Sequence, residues 1–111
     1  MSENRHLLVL TTLPENADAG GFAKTLVDER LAACVSIFGG IRSVYRWQGD
    51  VAEDRERQIV IKTTAARLEP LMSRVRELHP YAVPELVALP VVGGDAEYLR
   101  WLDESTAPDE T

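Results

Sequence analysis

The chain has 111 residues, enough for one domain and not two. Its composition, 45% hydrophobic and 27% charged, is that of a folded soluble domain. Eighteen acids against twelve bases give a net charge of -6, which opposes binding to nucleic acid or an anionic membrane because both are polyanions.

There is one cysteine, Cys34, so no intrachain disulfide is expected and no oxidising compartment is required. The stretch Met1-Ser2-Glu3-Asn4-Arg5-His6 lacks the charged-then-apolar pattern of a secretory signal, and no apolar run approaches the length of a membrane span. Cytoplasm is the expected compartment. One domain is expected over 1–111, with a core over about 6–103 and an acidic tail over 104–111.

In chain order, His6 to Thr12 carries the run Leu7-Leu8-Val9-Leu10 and predicts a strand buried on both faces. Asn16 or Asp18 is the cap of a helix over Ala19–Leu31, whose apolar stripe is Phe22, Ala23, Leu26, Val27 and Leu31. Gly20 and Gly21 weaken its first turn. Ala32 to Phe38 reads as a strand, Gly39-Gly40 as a bulge or bend, and Ile41 to Trp47 as its continuation. Gln48-Gly49-Asp50 signals a hairpin; with Gly49 and Asp50 as the loop, Arg46 faces Glu53 and Arg42 faces Arg57. Val51 to Thr64 is the returning strand. Leu68, Leu71, Met72, Val75 and Leu78 form a second helical stripe, with Pro70 in its first turn. Two prolines break the helix across His79–Pro84, Leu86 to Val92 is a strand, and Asp95 caps a helix over Ala96–Leu102.

The order β-α-β-β-α-β plus a terminal helix is α+β and ferredoxin-like, with two helices on one face of an antiparallel sheet. Helices of about four turns reach roughly 20 Å, whereas hairpin strands of a dozen or more residues reach roughly 40 Å. The distal hairpin, carrying Val44, Tyr45, Trp47 and Val51, therefore projects beyond its own helices. Projecting edges of this kind call for identical copies to cover them.

Several segments resemble the CutA divalent-cation-tolerance family: Leu31-Ala32-Ala33-Cys34-Val35, Tyr45-Arg46-Trp47-Gln48-Gly49, Glu56 with Ile61-Lys62-Thr63, His79-Pro80-Tyr81-Ala82-Val83-Pro84-Glu85, and Gly94 followed by Tyr98-Leu99-Arg100-Trp101. The resemblance spans about residues 7 to 102. It implies a tight homotrimer with PII-like architecture, in which the long hairpins pair between subunits. It also implies a role in tolerance to divalent metals, with copper or another divalent metal as ligand, and no catalytic activity. The alternative is a PII-like signalling or scaffold protein that binds a small molecule or a protein partner at the cleft between subunits.

His79 matches a histidine of the family's copper pattern, whereas Leu78 stands where a neighbouring histidine occurs. Cys34 is a soft-ligand candidate, against a role as a small buried residue at a strand start. For His79 the structural alternative is a hydrogen bond to the last helix carbonyls, and His6 reads as a solvated strand-entry residue. Tyr45, Trp47, Tyr81 and Trp101 are candidates for interface packing, with the lining of a ligand cleft as the alternative. Glu56 and Lys62 share a strand face and, with Glu85, Tyr81 and His79, form a candidate polar pocket between subunits. No phosphate loop, nucleophile elbow, zinc pattern or dinucleotide fingerprint is present.

Overall fold

The computed structural model describes residues 5–108, so the expectations for Met1–Asn4 and for 109–111 lie outside the described residues. The elements are β1 (His6–Pro14), α1 (Ala19–Asp28), β2 (Cys34–Trp47), β3 (Asp50–Thr64), a 3-10 turn (Ala65–Arg67), α2 (Leu68–Leu78), β4 (Val87–Pro90) and α3 (Ala96–Thr106). One antiparallel sheet has the order β2-β3-β1-β4.

Strand alternation sorts the core. Val9 and Leu13 of β1 and Ile59 and Ile61 of β3 face the helices, where they meet Phe22 and Leu26 of α1 and Leu71 and Val75 of α2. Each such side chain stabilises the fold by about 1.5–3 kcal/mol through burial. Both helical stripes are therefore where the periodicity places them, except that Val27 is exposed. Leu8, Leu10, Val60, Val87 and Leu89 point to the other, open face, as their pairings require.

Asp18, not Asn16, caps α1: its carboxylate accepts the N–H of Gly21 at 3.0 Å. A Cβ on residue 21 would lie 2.5 Å from that carboxylate, so the glycine that weakens the helix by propensity is what lets the cap close. Three residues earlier than the apolar stripe suggests, α1 stops at Asp28. Arg30 adopts the left-handed conformation (φ 60), Arg30 N–H donates to Val27 O, and Leu31 N–H donates to Leu26 O. This is a Schellman closure with arginine at the position where glycine is usual.

The hairpin loop is Gln48-Gly49, not Gly49-Asp50: Trp47 pairs with Asp50, and both loop residues have positive φ (52 and 88), as a two-residue I′ turn demands. Arg46 consequently faces Val51 and Arg42 faces Arg55, while Glu53 takes Arg42 diagonally at 3.3 Å. At Gly39-Gly40 the register breaks as expected, with Phe38 opposite Gln58 and Ile41 opposite Glu56. β1 pairs with β3 only from Glu56 to Thr64, so the ribbon from Ile41 to Arg55 is two strands wide.

The last strand is shorter than expected, ending at Pro90, which brings no N–H to the ladder. The last helix is longer, running to Thr106 rather than Leu102. Leu102 and Thr106 are buried, and Asp103 accepts from Arg5 Nε at 3.2 Å and lies 2.9 Å from His6 Nε2. His6 is therefore an anchor for α3 and not a solvated strand entry. No helix of the described residues is long and apolar enough to cross a membrane.

Because L-residues in the left-handed region carry a steric cost that glycine does not, Arg30→Gly is expected to raise stability by about 0.5–1 kcal/mol. Denaturant unfolding at fixed protein concentration checks this, and a loss of stability would contradict the assigned closure of α1.

Candidate functional site

His79 is the C-cap of α2 and is buried, 7% exposed. Its Nε2 lies 2.6 Å from the carbonyl of Thr12, which can only accept, so Nε2 carries the proton. Its Nδ1 accepts the N–H of Tyr81 at 3.1 Å, so Nδ1 carries none. The ring thus ties the end of β1 to the chain leaving α2. It reaches across to β1 rather than back to the helix carbonyls.

That tie aims Tyr81. Its hydroxyl donates to Glu56 Oε2 at 2.8 Å, and its ring lies 5.0 Å from the His79 ring. Glu56 is 5% exposed, and among the described residues its Oε1 takes no donor. The Tyr81 phenol is pushed well above its usual value of 10, first by burial, then by its bond to the Glu56 carboxylate and by the charges of Glu56 and Asp54. Tyr45 donates to the Asp54 carboxylate, and its phenol is raised, chiefly by that bond.

The break at Gly39-Gly40 decides which aromatic side chains join this cluster. Before it, Cys34, Ser36 and Phe38 share the open face with Lys62, Val60 and Gln58; after it, Ile41, Ser43, Tyr45 and Trp47 share that face with Glu56 and Asp54. The outcome is a concave site of about 760 Å³ lined by Thr12, Tyr45, Trp47, Glu56, Tyr81 and Glu85, among others. Gln58 fixes its far side, donating to Thr11 O at 2.9 Å and lying 3.4 Å from Glu85 Oε2.

Of the residues singled out by sequence, the site unites Tyr45, Trp47, Glu56, Tyr81 and Glu85. Lys62 is on the same strand face as Glu56 but six residues away, roughly 20 Å along the strand, where its Nζ is 3.9 Å from Cys34 Sγ. Trp101 stands on α3 against Tyr98, with ring centroids 5.4 Å apart. Sequence reasoning passes over Asp54, Gln58 and Thr12. The two-residue alternation of β3 places Asp54 and Gln58 beside Glu56, a signal available to a closer reading, whereas the Thr12 carbonyl leaves no trace in sequence.

A sequence model described as the CutA1 divalent ion tolerance protein matches residues 7–105. The divalent-cation tolerance protein CutA of Thermus thermophilus is 54% identical over 99 residues, 89% of this chain and 96% of that one. The chain belongs to the CutA1 divalent ion tolerance family. The chloroplastic protein CutA of Arabidopsis thaliana is 46% identical over 100 residues, 90% of this chain and 55% of that one. The solved structure of the divalent cation tolerance protein Cut A1 from Thermus thermophilus matches with a TM-score of 0.89 at 52% identity, covering 92% of this chain and 99% of that chain.

The CutA1 family name carries a link to metal, but the donor set among the described residues of one chain does not fit a metal centre. Both nitrogens of His79 are engaged. Cys34 is half-buried at the start of β2 opposite Lys62, whereas His79 reaches Thr12, whose partner Gln58 lies four residues from Lys62 along β3. Among the described residues no three His, Cys, Asp or Glu side chains gather as a metal site requires.

Removing the His79 ring leaves a carbonyl and an N–H without partners. His79→Ala is expected to lower stability by about 2–3 kcal/mol, read by denaturant unfolding at fixed protein concentration; an unchanged midpoint would refute its structural role. Above pH 10 the unfolded chain releases a phenolic proton that folded Tyr81 retains, so stability falls as pH rises through that value. Tyr81→Phe should make the fall between about pH 9 and about pH 11 shallower, with phenol absorbance showing the loss of the highest titration.

Proposed function

We propose that the chain acts in divalent-cation tolerance as a PII-like homotrimer of ferredoxin-like subunits, with the concave site at the base of the β2–β3 ribbon as its binding surface. The observation that carries this reading is an unfinished sheet. Leu8, Leu10, Val60, Val87 and Leu89 form an apolar face with no helix of the α1–α2 layer over it, and Phe38 on that face is 54% exposed. The ribbon beyond Glu56 adds Val44, Trp47 and Val51 to the exposed apolar surface. Apolar area of this extent on a small domain marks an interface. Identical copies can close it symmetrically, each ribbon lying along the edge of its neighbour.

Copper or another divalent metal enters this reading through the assembly, since the described residues of one chain do not supply a ligand set. Cys34, on the open face, is the chain's only thiol and the soft donor proposed for such an inter-chain site. The site is read as a binding surface and not as a catalytic centre. Its acid is hydrogen-bonded to a phenol whose proton is held tightly, and the lysine that would complete an acid–base set is remote. Cytoplasm is the compartment proposed for this chain, whose lone cysteine needs no oxidising environment.

Sedimentation equilibrium is expected to give three times the 12.3 kDa chain mass, and Phe38→Glu is expected to shift the mass downward by placing a charge in the closed face. A wild-type monomer at micromolar concentration would refute the assembly. An unaltered response to copper in cells lacking the protein would refute the role.

A further inference from the structure

The concave site has an electrostatic character that the family name does not describe. Among the described residues its lining contains Glu56 and Glu85 and no lysine, arginine or histidine. Asp54 adds a third negative charge close enough to act on Tyr81. Glu56 is almost wholly buried, yet only one of its oxygens has a donor among the described residues. Its other oxygen is not sealed from solvent, so it is open to the cavity, where a cation can reach it. The walls around it are the rings of Tyr45, Trp47 and Tyr81. Aromatic faces carry the negative side of a quadrupole, so they favour the same charge sign as the carboxylates do.

We propose that this site binds an organic ammonium ion, and an aliphatic diammonium best of all, with Glu56 holding one nitrogen, Glu85 the other, and Tyr45, Trp47 and Tyr81 enclosing the carbon chain. A bare metal ion is a poorer occupant. Only two carboxylates line the site, among the described residues no three His, Cys, Asp or Glu side chains gather closely enough to hold a metal, and the aromatic walls offer no oxygen ligands apart from phenols. An anion is excluded by the sign of the field. A cavity of about 760 Å³ is too large for one lysine or arginine side chain from a neighbouring copy to fill, and lies in the range of small-molecule sites.

The preference for two nitrogens follows from the two carboxylates, Glu56 on β3 and Glu85 on the chain after α2, that line one cavity. Gln58 lies two residues beyond Glu56 on the same face, on the order of 7 Å away. Its side chain sits 3.4 Å from the Glu85 carboxylate. With two carboxylates lining one cavity, a short aliphatic diamine can meet both charges while its hydrocarbon lies against the rings. The inference rests on reading this site as the binding surface, but not on the homotrimer.

The test is calorimetric titration of the full chain with putrescine, n-butylamine, succinate and magnesium chloride, with sedimentation run on the same samples. Putrescine is expected to bind in the sub-millimolar range or tighter, n-butylamine more weakly by roughly tenfold for the lost second charge, and succinate and magnesium not at all. Glu56→Gln, which keeps shape and loses charge, should weaken putrescine by roughly tenfold or more. Glu85→Gln, at an exposed position, should abolish the preference for the diamine over the monoamine, which keeps the test decisive if the Glu56 variant fails to fold. No saturable putrescine binding, equal binding by succinate, or affinity unchanged in both variants would overturn the proposal. Trimers without putrescine binding would sink this inference and leave the assembly standing; monomers that bind putrescine would do the reverse.

Discussion

Two residues of β2, Gly39 and Gly40, stand where β3 supplies one, and that excess changes which side of the sheet every later residue of β2 faces. With an unbroken ladder, Val44 and Arg46 would share the face of Glu56, and Tyr45 and Trp47 would point away. The bulge exchanges them. It does so at the place where β1 stops pairing with β3, so that the aromatic residues arrive on a ribbon with no third strand beside it. The concavity exists because the sheet narrows there while the loop after α2 comes round the end of β1 to face the ribbon.

The loop is held by a short polar chain rather than by apolar packing. The Thr12 carbonyl takes the His79 Nε2–H, His79 Nδ1 takes the Tyr81 N–H, and the Tyr81 hydroxyl is given to Glu56. Each link orients the next, and the tautomer of the ring is dictated by its two partners. Low local dielectric strengthens such a chain and makes each broken link expensive. The chain runs from backbone to a carboxylate with a free oxygen, so the energy that orders the loop also sets the direction in which that oxygen points. Tyr81 cannot easily lose its proton while Glu56 stays charged, which keeps the donor and acceptor roles in this chain from reversing.

Much of the framework is legible in the residues because it depends on local pattern. The stripes Phe22–Leu26 and Leu71–Val75, the cap before Gly21, and the bulge at Gly39-Gly40 each follow from side-chain period or from glycine chemistry within a few positions. The departures have a common physical form: a local signal is present but a tertiary partner decides. Arginine ends α1 because Leu31 must drop into the core beneath Leu26, and Arg67 Nε donates to the Arg30 carbonyl at 3.1 Å. α3 continues past Leu102 because Asp103 meets His6 and Thr106 returns its hydroxyl to the Leu102 carbonyl at 2.9 Å. The hairpin loop lies one residue earlier because both of its central residues must take positive φ, and Gln48 bears that with Gly49 beside it. At the site, residue types point correctly to Glu56, Tyr81 and the hairpin aromatics, while the grouping of Lys62 with them fails on distance along one strand.

Those same distances divide the open face into two chemically different regions. At the Cys34–Lys62 end, α3 packs against β3, and a basic residue sits among small and apolar ones. At the Glu56 end there are carboxylates, phenols and an indole on a ribbon with two strands. An assembly that closes the apolar middle, Leu8, Leu10, Val60 and Leu89, would lock the first region inside and leave the second at a subunit boundary, because the ribbon extends past any surface its own helices could shelter. Helices of 10 and 11 residues reach roughly 15–17 Å, against a long molecular axis of 44 Å. The segment that cannot be covered from within is the one that carries Tyr45 and Trp47, so the proposed association and the proposed ligand recognition draw on adjoining stretches of one ribbon, and a change that loosens either would act on the other.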